Sequence, residues 1–351
     1  MIFQYPTQFP ADTNEHRVTD GQTARRLVRE RCPQLLDLLD RRRARFAPLI
    51  AAWDERPPVA GAEDAVLIAF CRLAFRHGSW GEDFHAYHNE SHILEILGPR
   101  IERLIDTIGI NSLSLRDWFL LALFAAAHDL RQRETPEFSA GIGSNERASI
   151  EETFRILRDC GFTPEHNAEV FIGIELMIAG STFDARPPMP ALEFNSAELV
   201  VQSGGALAQK LDAKLDKHVP GWRDDPRIVH ALDLALIAAD LDTANVAESF
   251  PLFMSSAERL CLEREMRSHR DPASAESAQP MLGFLTTGQE HYFFDLHRFS
   301  SPAGRRTFAA AKEANIQAVH KVIDALRATR PVPGTGSEVL RAFHALAAGT
   351  R

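Results

Sequence analysis

The chain has 351 residues, 45% hydrophobic and 25% charged, the make-up of a soluble globular protein with a substantial core. Its net charge of -9 argues against general binding to nucleic-acid backbone or anionic membrane, because no surplus of positive charge is there to replace counterions. Cys32, Cys71, Cys160 and Cys261 lie far apart without a Cys-x-x-Cys pair, which suggests neither a thiolate zinc site nor a disulfide framework.

Residues 1–20 carry no basic segment followed by an apolar run, and no uncharged apolar stretch approaches the roughly 20 residues that cross a bilayer. A cytoplasmic protein without a membrane partner is therefore expected. Apolar residues recur at spacings of three and four along nearly every long segment, which predicts an all-α fold. Leu27, Leu35, Leu38, Leu39, Phe46 and Leu49 suit early helices, with Arg41 to Arg43 and Arg45 on a solvated face, and 66–75 suits another before the Gly78-Ser79-Trp80-Gly81 turn. A helix is predicted to begin near His88, run through Ile93 and Leu97, and resume after Gly98-Pro99 through Ile101 and Leu104. Ser114 can cap a buried helix over 115–128, with Asp117 in its first turn where the helix dipole favours an anion.

Residues 130–143, with Pro136, Gly141 and Gly143, read as a loop. Ser144 opens a helix that Gly161 ends; 165–177 and 197–215 also read as helical, separated by the proline-rich 186–190. A strongly apolar helix is expected over 228–241, a mobile loop over 271–280, and an amphipathic helix over 308–326 before a Pro-Gly break and a short last helix. No repeat or composition change marks a boundary. Residues 1–20 thus read as an extension, 21–330 as one compact multi-helix domain, and 331–351 as a tail with a short helix.

The chemistry concentrates in Tyr87-His88-Asn89-Glu90-Ser91-His92, in His128-Asp129 and in Asp240. His88 and His92, four apart on a helix, would face one pocket. The apolar run 120–127 ends in His128-Asp129 and the run 234–239 ends in Asp240; a buried ionisable group needs a partner or a metal. Imidazole and carboxylate suit zinc, iron or manganese. Asp242 competes with Asp240, but two residues apart they cannot share a helix face, and the apolar run favours Asp240. His77 and His85 fall outside the motif register and read as turn or surface histidines, as His291 and His297 read as exposed ones.

These residues resemble the HD-domain metal-dependent phosphohydrolases, and within them the class I cyclic-nucleotide phosphodiesterases. Tyr87 to His92 is similar to their Tyr-His-Asn-x-x-His element, His128-Asp129 to their His-Asp pair, and Ala239-Asp240-Leu241 to their Ala-Asp-Leu motif. Asn145 resembles the asparagine of a Gly-x-x-Asn element, and Gly283-Phe284 the Gly-Phe that follows a purine-contacting glutamine. The resemblance covers roughly residues 65–300.

Carried over position by position, it implies His92, His128, Asp129 and Asp240 as ligands, with Asp129 bridging two divalent ions (zinc, magnesium, manganese or iron). His88 and Asp129 are implied as catalytic, since two metals can lower the pKa of a bridging water for in-line attack while His88 protonates the departing 3′-oxygen. Tyr87, Asn89, Phe284, Gln279 and Met281 are implied at the substrate. Met281 stands where the family places its glutamine, with Gln279 displaced by two. The family's Thr-Asp-Met segment maps onto Gly180-Ser181-Thr182 without its carboxylate, for which Glu146 or Glu175 could substitute. Asn145-Glu146-Arg147-Ala148-Ser149 resembles instead the Asn-Glu-x-x-Ser element of small bacterial HD phosphohydrolases.

The expected function is hydrolysis of a 3′,5′-cyclic nucleotide (cAMP or cGMP) to the 5′-monophosphate, with phosphohydrolysis of another nucleotide or phosphoester as the alternative and a non-catalytic nucleotide-binding protein as a third reading. The partner is a small nucleotide, and a homodimer is compatible with the sequence.

Overall fold

A computed structural model describes residues 2, 9–53, 57–134, 143–184 and 205–350. The fold is all-α, and the described chain forms two compact units. The stretch 21–330, expected as one domain, contributes to both.

The first unit comprises residues 1–182, 208–242 and 300–307. Its helices are α1 (Thr13–Arg17), α2 (Gly21–Arg31), α3 (Pro33–Arg45), α4 (Ala47–Ala51), α5 (Val59–Arg76), α6 (Glu90–Glu95), α7 (Ile101–Ile108), α8 (Leu115–Ala127), α9 (Ser144–Asp159), α10 (Ala168–Ser181), α11 (Leu211–His218) and α12 (Pro226–Asp242). Ser114 and Asp117 close a reciprocal cap on α8, Ser114 Oγ accepting from Asp117 N at 3.1 Å and Asp117 Oδ2 accepting from Ser114 N at 3.0 Å. The apolar run expected there is core, with Leu121, Leu123, Phe124 and Ala125 to Ala127 shut off from solvent. Gly161, at φ +88°, ends the chain segment of α9 in a backbone region that β-carbons disfavour.

Several expectations shift. The motif helix starts at Glu90, so His88 lies in the turn before it, and Pro99 is absorbed by a π-helical turn over Ile96–Arg100 instead of breaking the run. Residues 1–20 do more than extend the chain: in α1, buried Glu15 meets Arg72 Nη1 at 3.3 Å and Arg155 Nη2 at 2.7 Å. Arg42 is buried too, bonded to the Leu97 carbonyl and Glu102. The proline-rich 186–190 and most of the 130–143 loop lie outside the described residues, as does 197–204 of the expected 197–215 helix; within the rest of that span Gly205–Ala206 form a short strand, Leu207–Lys210 a 3-10 turn, and the helix α11 begins only at Leu211.

The second unit comprises residues 183–207, 243–299 and 308–351. It contains a short antiparallel pair, β1 (Phe183–Asp184) with β2 (Gly205–Ala206), then α13 (Phe250–Arg267), α14 (Ala278–Gly283), α15 (Pro302–Ala328, from residue 308 onward) and α16 (Gly336–Ala348). Phe253, Phe293, Phe308 and Phe343 fill its core. The 271–280 loop is partly helical, because α14 begins at Ala278.

His297 is buried in this unit. Its Nδ1 lies 3.2 Å from Lys312 Nζ and its Nε2 3.2 Å from Thr243 Oγ1. Burial first, then the Lys312 and Arg298 charges, push its pKa down to about 3. Between that value and the ordinary one near 6.5 the unfolded chain binds the extra proton, so stability rises with pH through this window and is lost on acidification. Wild type should therefore lose about 3 kcal/mol more stability between pH 7 and pH 4 than His297→Gln does. Denaturant unfolding at the two pH values checks this, and equal losses would refute it.

Candidate metal centre

Three helix ends of the first unit meet at the site. His92 comes from the first turns of α6, His128 caps the C-terminus of α8 with Asp129 one residue on, and Asp242 is the last residue of α12. Helix ends serve this purpose because a side chain there leaves the bundle while the backbone behind it stays packed. Arg76 Nη1 donates to the Leu130 carbonyl at 2.6 Å and Arg131 N to Ser149 Oγ at 3.1 Å, which hold the turn after His128-Asp129. Buried Arg100 donates to the carbonyls of Leu241 at 3.1 Å and Asp242 at 2.6 Å, and so fixes the end of α12.

The donor atoms converge. Asp242 Oδ1 is 3.0 Å from His92 Nε2 and 3.4 Å from His128 Nε2; Asp129 Oδ2 is 2.9 Å from His128 Nε2 and 3.8 Å from His92 Nε2. His128 Nδ1 lies 3.1 Å from the Phe124 carbonyl, which places the proton of a neutral ring on Nδ1 and turns the Nε2 lone pair toward the two carboxylates. Nε2 and Asp129 Oδ2 have no hydrogen-bond partner within accepted geometry. Buried acceptors facing one another need a proton or a cation between them, and the imidazole–carboxylate set fits a divalent transition ion. Without one, burial disfavours charge on His128, yet Asp129 and Asp242 hold its pKa well above the usual value. Burial likewise opposes ionisation of Asp242, and His128 and His92 overcome it, keeping that carboxyl well below the carboxylate range.

Asp242, and not the expected Asp240, is the carboxylate that the fold brings to His92 and His128. Two residues along a helix is a turn of about 200°, so the two side chains leave α12 in different directions. Asp240 is buried as the apolar run implied, but its oxygens accept from Ser300 N at 2.7 Å, Ser301 N at 2.8 Å and Ser301 Oγ at 2.6 Å. Burial still lifts its carboxyl to about 6. Gly304 leaves room for this packing: a β-carbon there would lie 2.1 Å from Asp240 Oδ2.

His88 is half-buried in the turn before α6, its ring 6.3 Å from that of His92. Tyr87 is buried with its ring centroid 4.5 Å from that of His92. Asn89, expected at the substrate, is instead the cap of α6: its Oδ1 accepts from Ser91 N at 2.8 Å and its Nδ2 donates to the His85 carbonyl at 2.6 Å. Burial raises the pKa of Glu146, and the Asp129 charge adds to that rise. Glu175 is elsewhere engaged, accepting from Ile2 N at 2.8 Å. Asn145 bonds Gln132 and Glu134.

The remaining expected substrate residues belong to the second unit. Met281 is fully buried, packed where Gly336 has no side chain; Gln279 is exposed; and Phe284 carries the Arg264 guanidinium over its ring at 5.4 Å. Arg100 and Gln132 were not singled out by sequence reasoning. The only local signal for Arg100 is a charge following the Gly98-Pro99 break.

Among the described residues, two His/Asp groups could hold a metal ion: His92, His128 and Asp242, and also His77, Asp83 and His85. His77 and His85, expected at turns or on the surface, are both buried. No helix among the described residues is long and apolar enough to cross a membrane. No protein-family model and no curated protein matches this chain.

Proposed function

We propose that the chain is a metal-dependent phosphoester hydrolase, with a 3′,5′-cyclic nucleotide opened to the 5′-monophosphate as its substrate. The observation that carries this reading is the convergence of His92, His128 and Asp242, with Asp129 Oδ2 2.9 Å from His128 Nε2, beside half-buried His88. A divalent ion bound by those four side chains supplies positive charge for a phosphoryl oxygen and acidifies water. The protein side chains do the rest. The Phe124 carbonyl keeps His128 in the tautomer that presents Nε2, and Arg100 keeps the end of α12, hence Asp242, in reach. Tyr87 packs on the His92 ring and restricts its rotation. His88 delivers the proton that the departing 3′-oxygen requires. Glu146, whose carboxyl is within electrostatic reach of Asp129, is the carboxylate assigned to support a second ion.

A specific observation favours a second reading, hydrolysis of another nucleotide or phosphoester. Met281 stands where a base-recognising amide is expected, and it is fully buried. The test is incubation of metal-loaded protein with cAMP, cGMP and a panel of phosphomonoesters and diesters, with and without chelator. Chelator-sensitive release of 5′-AMP or 5′-GMP is expected. Turnover of other panel members alone would select the second reading, tight binding without turnover would make the chain a nucleotide-binding protein, and neither would sink all three.

A further inference from the structure

We infer that Gln132 is a positioning residue that decides which oxygen of Asp129 faces the ion, and that the His77–Asp83–His85 group anchors Gln132 and is not a second metal centre. The inference rests on the metal-centre reading above. Gln132 is buried, and its side-chain Nε2 donates to Asp129 Oδ1. That leaves Oδ2 as the oxygen turned to His128 Nε2, 2.9 Å away. The amide's other end, Oε1, accepts from Asn145 Nδ2 at 3.4 Å, and Asn145 Oδ1 accepts from Glu134 N at 2.9 Å. The direction of this relay is set at its start: a backbone N–H can only donate, so Asn145 must present its oxygen to Glu134 and its NH2 to Gln132, whose own NH2 then faces the carboxylate. An amide turned the other way would set two acceptor oxygens against each other.

The backbone of Gln132 is held by the second histidine group. Its N–H donates to His77 Nε2 at 3.3 Å, which requires a lone pair on Nε2 and puts the proton of neutral His77 on Nδ1, 3.7 Å from Asp83 Oδ2. A metal bound through Nδ1 would need that proton moved to Nε2, against the Gln132 N–H. Asp83 is in addition ion-paired with Arg133 at 2.8 Å, which lowers its attraction for a cation. His85 N donates to the His77 carbonyl at 2.8 Å and its ring lies 4.1 Å from that of His77, closing the anchor. The contrast with His128 is chemical: there the backbone partner is an acceptor, and the free lone pair faces the carboxylates.

The experiment is calorimetric titration of Mn²⁺ or Zn²⁺ into metal-free wild type, Gln132→Ala, the near-isosteric Gln132→Glu, Asp129→Asn and the Gln132→Ala/Asp129→Asn double variant, with metal stoichiometry measured on Asp83→Asn. Both Gln132 variants should bind roughly 10- to 100-fold more weakly than wild type, the range for residues that orient a ligand. The double variant should bind as Asp129→Asn does, because the amide acts only through that carboxylate. Wild-type affinity in the Gln132 variants, or an equal further loss in the Asp129→Asn background, would overturn the positioning role. Loss of one bound ion in Asp83→Asn would overturn the anchoring role. A wild type that takes up no ion would defeat the metal reading itself, a result separate from wild-type-like behaviour of the variants.

Discussion

Asp242→Ala is expected to weaken divalent-metal binding by more than about 100-fold, beyond the effect of losing an orienting partner, and to abolish turnover with it. Asp240→Ala, two residues away, is expected to leave metal binding close to wild type and to destabilise the protein by about 3 kcal/mol. The difference follows from what each carboxylate faces. Asp242 Oδ1 stands between two imidazole nitrogens at 3.0 and 3.4 Å, so its removal takes a candidate ligand and leaves His128 and His92 with Asp129 alone. Asp240 accepts from two backbone N–H groups and a hydroxyl just before α15, and alanine leaves those donors buried and unmet. Metal titration and urea unfolding of both variants separate the two roles. Metal loss in Asp240→Ala with retention in Asp242→Ala would reverse the assignment.

His88→Ala is expected to keep its metal and lose about 10²- to 10⁴-fold in kcat on a cyclic nucleotide, the range for one positioned proton donor. His88 is no member of the converging set, yet its charge is close enough to help hold the Asp129 carboxyl below the usual range against burial. The sharper prediction concerns the leaving group. An alkoxide needs a proton as the bond to phosphorus breaks, whereas p-nitrophenolate leaves without one. The His88→Ala deficit should therefore shrink by at least tenfold when bis(p-nitrophenyl) phosphate replaces the cyclic nucleotide. An equal deficit on both substrates would argue that His88 positions or binds instead of protonating.

The helices were legible because their signals are local. Apolar spacing marks α8 and α12, and the Ser114–Asp117 cap is written in four consecutive residues. The candidate ligands His92, His128 and Asp129 were legible for a related reason: each is an ionisable group at the end or edge of an apolar stretch, where burial demands a partner. What such a signal lacks is the partner's identity. The run into Asp240 reports burial, and burial there is met by Ser300 and Ser301, sixty residues along the chain. The same limit hid the buried pair His77 and His85, and Gln132, whose role exists only because the Asp129, Asn145 and His77 side chains reach it from other turns.

From residue order and spacing one could read an all-helical chain, the borders of α8 and most of α12, and a histidine–aspartate set able to hold a metal. Packing brought Asp242 and not Asp240 to His92 and His128, moved His88 out of the helix, made Asn89 a cap and buried Met281. Periodicity encodes which face of a helix is turned inward, but the direction in which a polar side chain at its end finds its counter-charge is settled by distant segments, where the cost of an unpaired buried group selects one arrangement.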